Sequence, residues 1–115
     1  MEEKKNVTVF KSKEEVKKAI ESGESKQIFI IDLSEIDNLM VFYGNIFSPK
    51  YSGTEFNKQN FPNLEELIYI NPKGRISRNT FYDSAIKKAK ICCRYVGNDA
   101  FYQSSDLEYI DLTGT

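Results

Sequence analysis

The sequence contains no histidine and no tryptophan. Without imidazole it lacks the commonest general base, the usual nucleophile–histidine triads and the commonest metal ligand. Its two cysteines, Cys92 and Cys93, are adjacent. Neighbouring residues of a strand point to opposite faces, so an ordinary disulfide between them would be strained. They read as free thiols in a reducing compartment, one packed as a small hydrophobe. Two thiols without further ligands make no metal site, and no cofactor is expected. Charge of one sign is also missing, since 16 Lys and Arg stand against 17 Asp and Glu for a net charge of −1. This excludes the basic stripe of a nucleic-acid binder and, equally, a strongly acidic nucleic-acid mimic. No apolar run reaches the ~18 residues of a membrane span. Met1-Glu2-Glu3-Lys4-Lys5 opens no apolar segment of signal-peptide length. The expectation is a cytoplasmic chain with no membrane and no nucleic acid among its partners.

What is present fits one domain over residues 1–115, in the size range that sustains a core. Val7-Thr8-Val9-Phe10 is a short β-type run. Ser12-Lys13-Glu14-Glu15 has the pattern of a capping box, with Val16, Ala19 and Ile20 at helical spacing and Gly23 placed to end the helix. The spacing predicts a helix over 13–22. Residues 27–33 form an apolar run with Ile28, Ile31 and Leu33. Strand, helix and strand in this order predict a parallel crossover. The dense apolar stretch 36–47 predicts a short buried helix or tight turn. Residues 48–60 shift to Pro, Ser, Gly, Asn and Lys and read as an inserted surface loop. Asn71-Pro72-Lys73-Gly74 reads as a turn.

The second half repeats itself. Leu64, Ile86 and Leu107 are spaced by 22 and 21 residues. Each opens a strand with three inward positions, which stack as Leu64/Ile86/Leu107, Leu67/Ala89/Ile110 and Tyr69/Ile91/Leu112. Ile28/Ile31/Leu33 is a plausible first rung. Ile76 and Phe81, like Val96 and Phe101, supply the opposite wall. Periods in the twenties with this strand pattern signal leucine-rich solenoids, in which no repeat buries its own apolar face and stacking does so.

Val96-Gly97-Asn98-Asp99-Ala100-Phe101, then Ser104 and Leu107-Glu108-Tyr109-Ile110-Asp111-Leu112, closely resembles the BspA-type bacterial leucine-rich repeat. The specific match covers about residues 64–112, and Ser104 stands where that family often has cysteine. The copy at 76–91 keeps Phe81 but has Ser77-Arg78-Asn79-Thr80 in place of Gly-x-x-Ala. The resemblance implies an α/β fold: a short leucine-rich-repeat solenoid with parallel strands. An N-terminal β-α cap over 1–27 leads into about four rungs over 28–115, with an insertion at 48–60. Since no catalytic constellation appears in the sequence, the expected function is binding, and not catalysis.

The candidate binding residues point outward from the strands. The repeat register sets Glu65, Lys87 and Glu108 side by side, then Glu66, Lys88 and Tyr109, then Ile68, Lys90 and Asp111. The plain reading is a solvated, self-complementary sheet face, in which each cross-strand pair adds a few tenths to ~1 kcal/mol. The functional reading is a protein-binding face anchored by Ile68 and Tyr109, with Phe29 beside them. Tyr51 and Phe56 in the insertion are the second candidate, as a binding loop on a rigid scaffold. Arg75, Arg78 and Arg94, with Lys73 and Lys90, read as surface charge or as an anion site. Asp83 and Asp99 read as turn residues sooner than as a catalytic pair. After Leu112 no capping repeat follows. That end reads as a truncation, as an edge that forms a homodimer through the C-terminal strand, or as a docking site. The first expectation is a non-catalytic protein–protein interaction module whose partner is a protein. One alternative is a phage or mobile-element inhibitor that binds and blocks a host defence enzyme, of the anti-CRISPR type. The other is a fragment of a surface adhesin.

Overall fold

The structure, a computed structural model, describes residues 6–39, 56–76, 81, 84–97 and 109–111, with Asn38 and 109–111 described by their backbone alone. In chain order the elements are β1 (Val7–Val9), α1 (Lys13–Ser22), a 3₁₀ turn (Glu24–Gln27), β2 (Ile30–Asp32), β3 (Asn38–Leu39), β4 (Glu66–Ile76), β5 (Lys88–Val96) and β6 (Tyr109–Asp111). The strands form one sheet in the order β1-β2-β4-β5-β6, with β3 on β4, and every pairing is parallel. The fold class is therefore α/β with a parallel sheet.

Local chemistry sets the helix where the sequence predicts it. The Ser12 hydroxyl accepts from the Glu15 N–H at 3.4 Å. The Glu15 carboxylate accepts from the Lys11 N–H at 2.7 Å. The reciprocal cap thus closes one residue further back than a capping box, on Lys11 and not on Ser12. Gly23 ends the helix at φ 88°, and its N–H donates to Ile20 O at 3.3 Å. That left-handed conformation costs glycine little and other residues more. Val16 and Ala19 are buried and Ile20 packs against them, so α1 lays one stripe on the sheet.

The inward face of the sheet carries the core. Ile31, Leu67 and Ala89 are neighbours in register, and β6 places Ile110 beside Ala89. One rung on, Leu33, Tyr69 and Ile91 are all buried. Ile28, Leu64 and Ile86 are likewise buried where the chain enters β2, β4 and β5. The burial of each such aliphatic side chain contributes roughly 1.5–3 kcal/mol. Ile76 and Phe81 are fully buried, and Val96 packs against the core. Cys93 faces inward and is buried, while Cys92 is half-buried, and both are free thiols. Burial is the main cause that pushes the Cys93 thiol up, and the thiol donates to Tyr95 O at 3.4 Å.

Three expectations need correction. First, residues 71–74 do not reverse the chain. They lie within β4, where the register on β5 shifts between Asn71 and Arg75. The residues have turn composition because the strand bulges here. Pro72 and Lys73 are exposed, and Gly74 is buried. Second, Asn38–Leu39 is a strand beside Arg75 and Ile76, not part of a helix or tight turn. The rest of 36–47 lies outside the described residues from Met40 onward. Third, Phe56 and Asn57, within 48–60, belong to the core and not to the surface, while Gln59 is exposed and 48–55 lie outside the described residues. Phe56 is 1% exposed and Asn57 7%. Phe56 packs between Phe61 (centroids 5.6 Å apart) and Phe81 (5.2 Å). An aromatic cluster of this kind adds ~0.5–1.5 kcal/mol per pair beyond area burial.

The bulge is filled by polar groups. The Ile70 N–H donates to Ser34 Oγ at 2.8 Å. Asn71 Nδ2 donates to Ser34 O at 3.0 Å and to Asp37 Oδ1 at 2.9 Å, and Asn71 Oδ1 accepts from the Lys73 N–H. The Tyr69 hydroxyl donates to Ile36 O at 2.6 Å and lies 3.1 Å from Asp37 O. Together these replace the ladder bonds missing between β2 and β3, both of which pair with the same edge of β4. Gly74 is required by contact. A Cβ there would fall 2.6 Å from Tyr69 Cζ and 2.8 Å from Cε2.

Candidate interaction surface

The outward face is built by the alternation of the strands, whose side chains at i and i+2 share a face. β4 places Glu66 and Ile68 half-buried and Ile70 exposed, between buried Leu67 and Tyr69. β5 does the same with exposed Lys88 and Lys90 around buried Ala89 and Ile91. The register sets Glu66 beside Lys88 and Lys88 beside Tyr109, then Ile68 beside Lys90 and Lys90 beside Asp111. Six of the candidate strand residues are therefore brought into two adjacent rows as the repeat spacing predicts. Adjacent strands stand ~4.8 Å apart, so each three-residue row is only ~10 Å wide.

The remaining candidates fare differently. Phe56 is removed from any binding role on the surface, because its ring is buried among Phe61 and Phe81. Tyr51 and Glu108 lie outside the described residues, as do Arg78, Asp83 and Asp99, and for Tyr109 and Asp111 only the backbone is described. Phe29 is 37% exposed at the entry to β2. Of the suggested anion set, Lys73, Arg75, Lys90 and Arg94 are exposed. The Arg75 guanidinium, however, stacks over the Tyr95 ring at 5.0 Å, a cation–π contact within the chain.

The face continues beyond the repeat. In register with Glu66 and Ile68 lie Ile30 and Asp32 on β2, then Val7 and Val9 on β1. Val7, Val9 and Ile70 are 47%, 45% and 42% exposed. The face is thus divided, aliphatic toward β1 and cationic along β5. The repeat count missed the aliphatic part, because β1 belongs to no repeat. The available signal was the Val7-Thr8-Val9 alternation joined to the parallel crossover. Also missed was Ser25, which is buried and donates to Asn60 O at 2.6 Å. Its position, three residues before Ile28, matches that of Ser104 before Leu107.

A hollow of about 320 Å³ opens where the strands begin, lined by Phe29, Pro62, Leu64, Glu65, Ala85 and Lys87 among others. Among the described residues, no group of three or more His, Cys, Asp or Glu gathers as a metal site. Among them, no helix is long and apolar enough to cross a membrane. Compared with protein-family models, with curated proteins and with solved structures, the chain has no match.

Proposed function

We propose that the chain is a short leucine-rich-repeat solenoid of the BspA type that binds a protein, without catalysis, through its outward strand face. One observation carries the solenoid part of this reading. Phe29 O accepts from the N–H groups of Glu65 (2.7 Å) and Glu66 (3.1 Å). Glu65 O in turn accepts from those of Lys87 (2.8 Å) and Lys88 (3.0 Å). The same two-donor joint therefore recurs at successive strand entries, as stacked copies of one unit require. The binding part rests on the parallel sheet itself. Such sheets usually bury both faces, whereas this one leaves Val7, Val9, Ile70, Lys88 and Lys90 exposed on one. A mixed aliphatic and charged face of this kind suits a protein partner.

The test is affinity capture by the wild-type chain and by Lys88→Glu, Tyr109→Ala and Lys17→Glu, the last on the exposed side of α1. The expected outcome is a partner retained by wild type and by Lys17→Glu and lost with the other two. Equal capture by all four chains would overturn the reading.

A further inference from the structure

Among the described strands β1 is at the edge of the sheet, and its only partner is β2. The Phe10 N–H donates to Asp32 O at 3.1 Å. Backbone groups alternate sides along a strand. Thr8 therefore faces β2 with Phe10, and the N–H and C=O groups of Val7 and Val9 face away from it. Such a row is a template for a further strand. Beside it runs a groove of about 370 Å³. Val9 and Phe10 form one wall, and Glu15, Lys18, Ala19 and Ser22 from α1 form the other. Phe10 and Ala19 are buried and give the groove an apolar floor, while Glu15, Lys18 and, just past α1, Glu24 are exposed at its rim.

We propose that this edge is a second binding site, which meets the strand face at Val7 and Val9 and lies away from the Lys88 and Lys90 rows of that face. It takes an extended peptide segment as a strand added to β1, with one aliphatic side chain seated between β1 and α1. Two features select this occupant. Alternating N–H and C=O groups are matched by the main chain of an extended peptide, whereas a helix has already used its own. The apolar floor takes one aliphatic side chain, and the rim, carrying Glu15, Lys18 and Glu24, selects polar residues on either side and favours a basic one.

The probe is a seven-residue peptide, acetylated and amidated, with a central leucine, threonines around it and a lysine at each end. It is titrated into the ¹⁵N-labelled full chain. Shifts are expected at Val7, Val9, Ala19 and Ser22. Val9→Pro removes an outward N–H while leaving the Thr8 and Phe10 bonds to β2, and edge positions tolerate proline. It should weaken binding about tenfold or more. N-methylation of alternate peptide amides should abolish binding in one phase and spare it in the other. This pair of peptides decides the question on the wild-type chain even if Val9→Pro unfolds. Absence of binding, equal effects of the two methylation phases, or shifts centred on Ile68 and Lys88 would overturn the proposal. So would a concentration-dependent dimer dissolved by Val9→Pro, which would assign the edge to a second copy.

Discussion

Residues 66–71 and 72–76 of β4 are one strand built by two kinds of chemistry. In the first part, Leu67 and Tyr69 point inward between matching residues of the neighbouring strands, and the backbone runs in unbroken register with β5 from Glu66 to Asn71. Toward the second, Tyr69, Ile70 and Asn71 turn to Ser34, Ile36 and Asp37 for the hydrogen bonds that the edge lacks once pairing with β2 ends at Ile68, and the register on β5 shifts between Asn71 and Arg75. The first part repeats from strand to strand, so its cost and benefit are spread over a ladder. The second occurs once and depends on a few particular groups. Apolar ladders tolerate volume-conserving exchange, whereas a buried polar group left without its partner costs the full desolvation penalty.

The largest expected effect falls in the repeating part. Leu67 is fully buried, with Ile31 on one side and Ala89 on the other. Leu67→Ala should lower the unfolding free energy by about 2–5 kcal/mol, read from urea titration. Leu67→Met, which conserves volume, should lose less than about 1.5 kcal/mol. A similar loss from both would contradict a ladder held by packing.

Gly74→Ala tests the part used once. The added Cβ meets the Tyr69 ring and hydroxyl. Relief requires Tyr69 to give up its bonds to Ile36 and Asp37. A loss of about 2–3 kcal/mol is expected from overpacking of this kind. The contact has its own signature: in a Tyr69→Leu background Gly74→Ala should cost much less. Additive losses would place the cause elsewhere.

Tyr69 joins the two parts, packing with the ladder by its ring and bonding the Ile36 and Asp37 carbonyls by its hydroxyl. Tyr69→Phe should cost about 1–3 kcal/mol, since it leaves a buried carbonyl unsatisfied. Burial is the main cause that pushes the Tyr69 hydroxyl from 10.0 up to about 12, opposed by its backbone hydrogen bond at Arg75. The folded chain therefore keeps this proton at a pH where the unfolded chain has released it. The stability is complete below pH 10.0 and is lost as pH rises toward about 12. Between pH 9 and pH 11.5 wild type should lose about 2 kcal/mol more than Tyr69→Phe. Parallel losses would mean that the hydroxyl is not buried as described.

What could be read from the sequence follows the same division. The pairing of Glu66 with Lys88 and Tyr109 came from spacing alone, because a repeated apolar pattern fixes both the face and the register of each strand. Helix α1 was legible because its caps are local. Asn71-Pro72-Lys73-Gly74 misled because the same residues serve turns and bulges, and what distinguishes them is Ser34, Asp37 and Tyr69, all distant in sequence. Phe56 misled similarly. In a run of polar residues its ring looked exposed, and only Phe61 and Phe81, brought near by the fold, bury it. The aliphatic end of the outward face was missed because Val7 and Val9 join it by pairing across the crossover to Ile30 and Asp32.

The smallest expected effect separates stability from binding on the outward face. Lys88 is exposed and neighbours Glu66 and Tyr109, outside both the apolar ladder and the polar fill of the bulge. Exposed cross-strand pairs contribute little, so Lys88→Glu should change the unfolding free energy by no more than about 0.5–1 kcal/mol. Its loss should shrink in high salt, as expected of screened surface charge. A large, salt-independent loss would show that the Lys88 side chain belongs to the packing that Leu67 anchors. The outward face would then be a structural layer like the inward one, and a loss of partner capture by Lys88→Glu could no longer be assigned to contact with the partner.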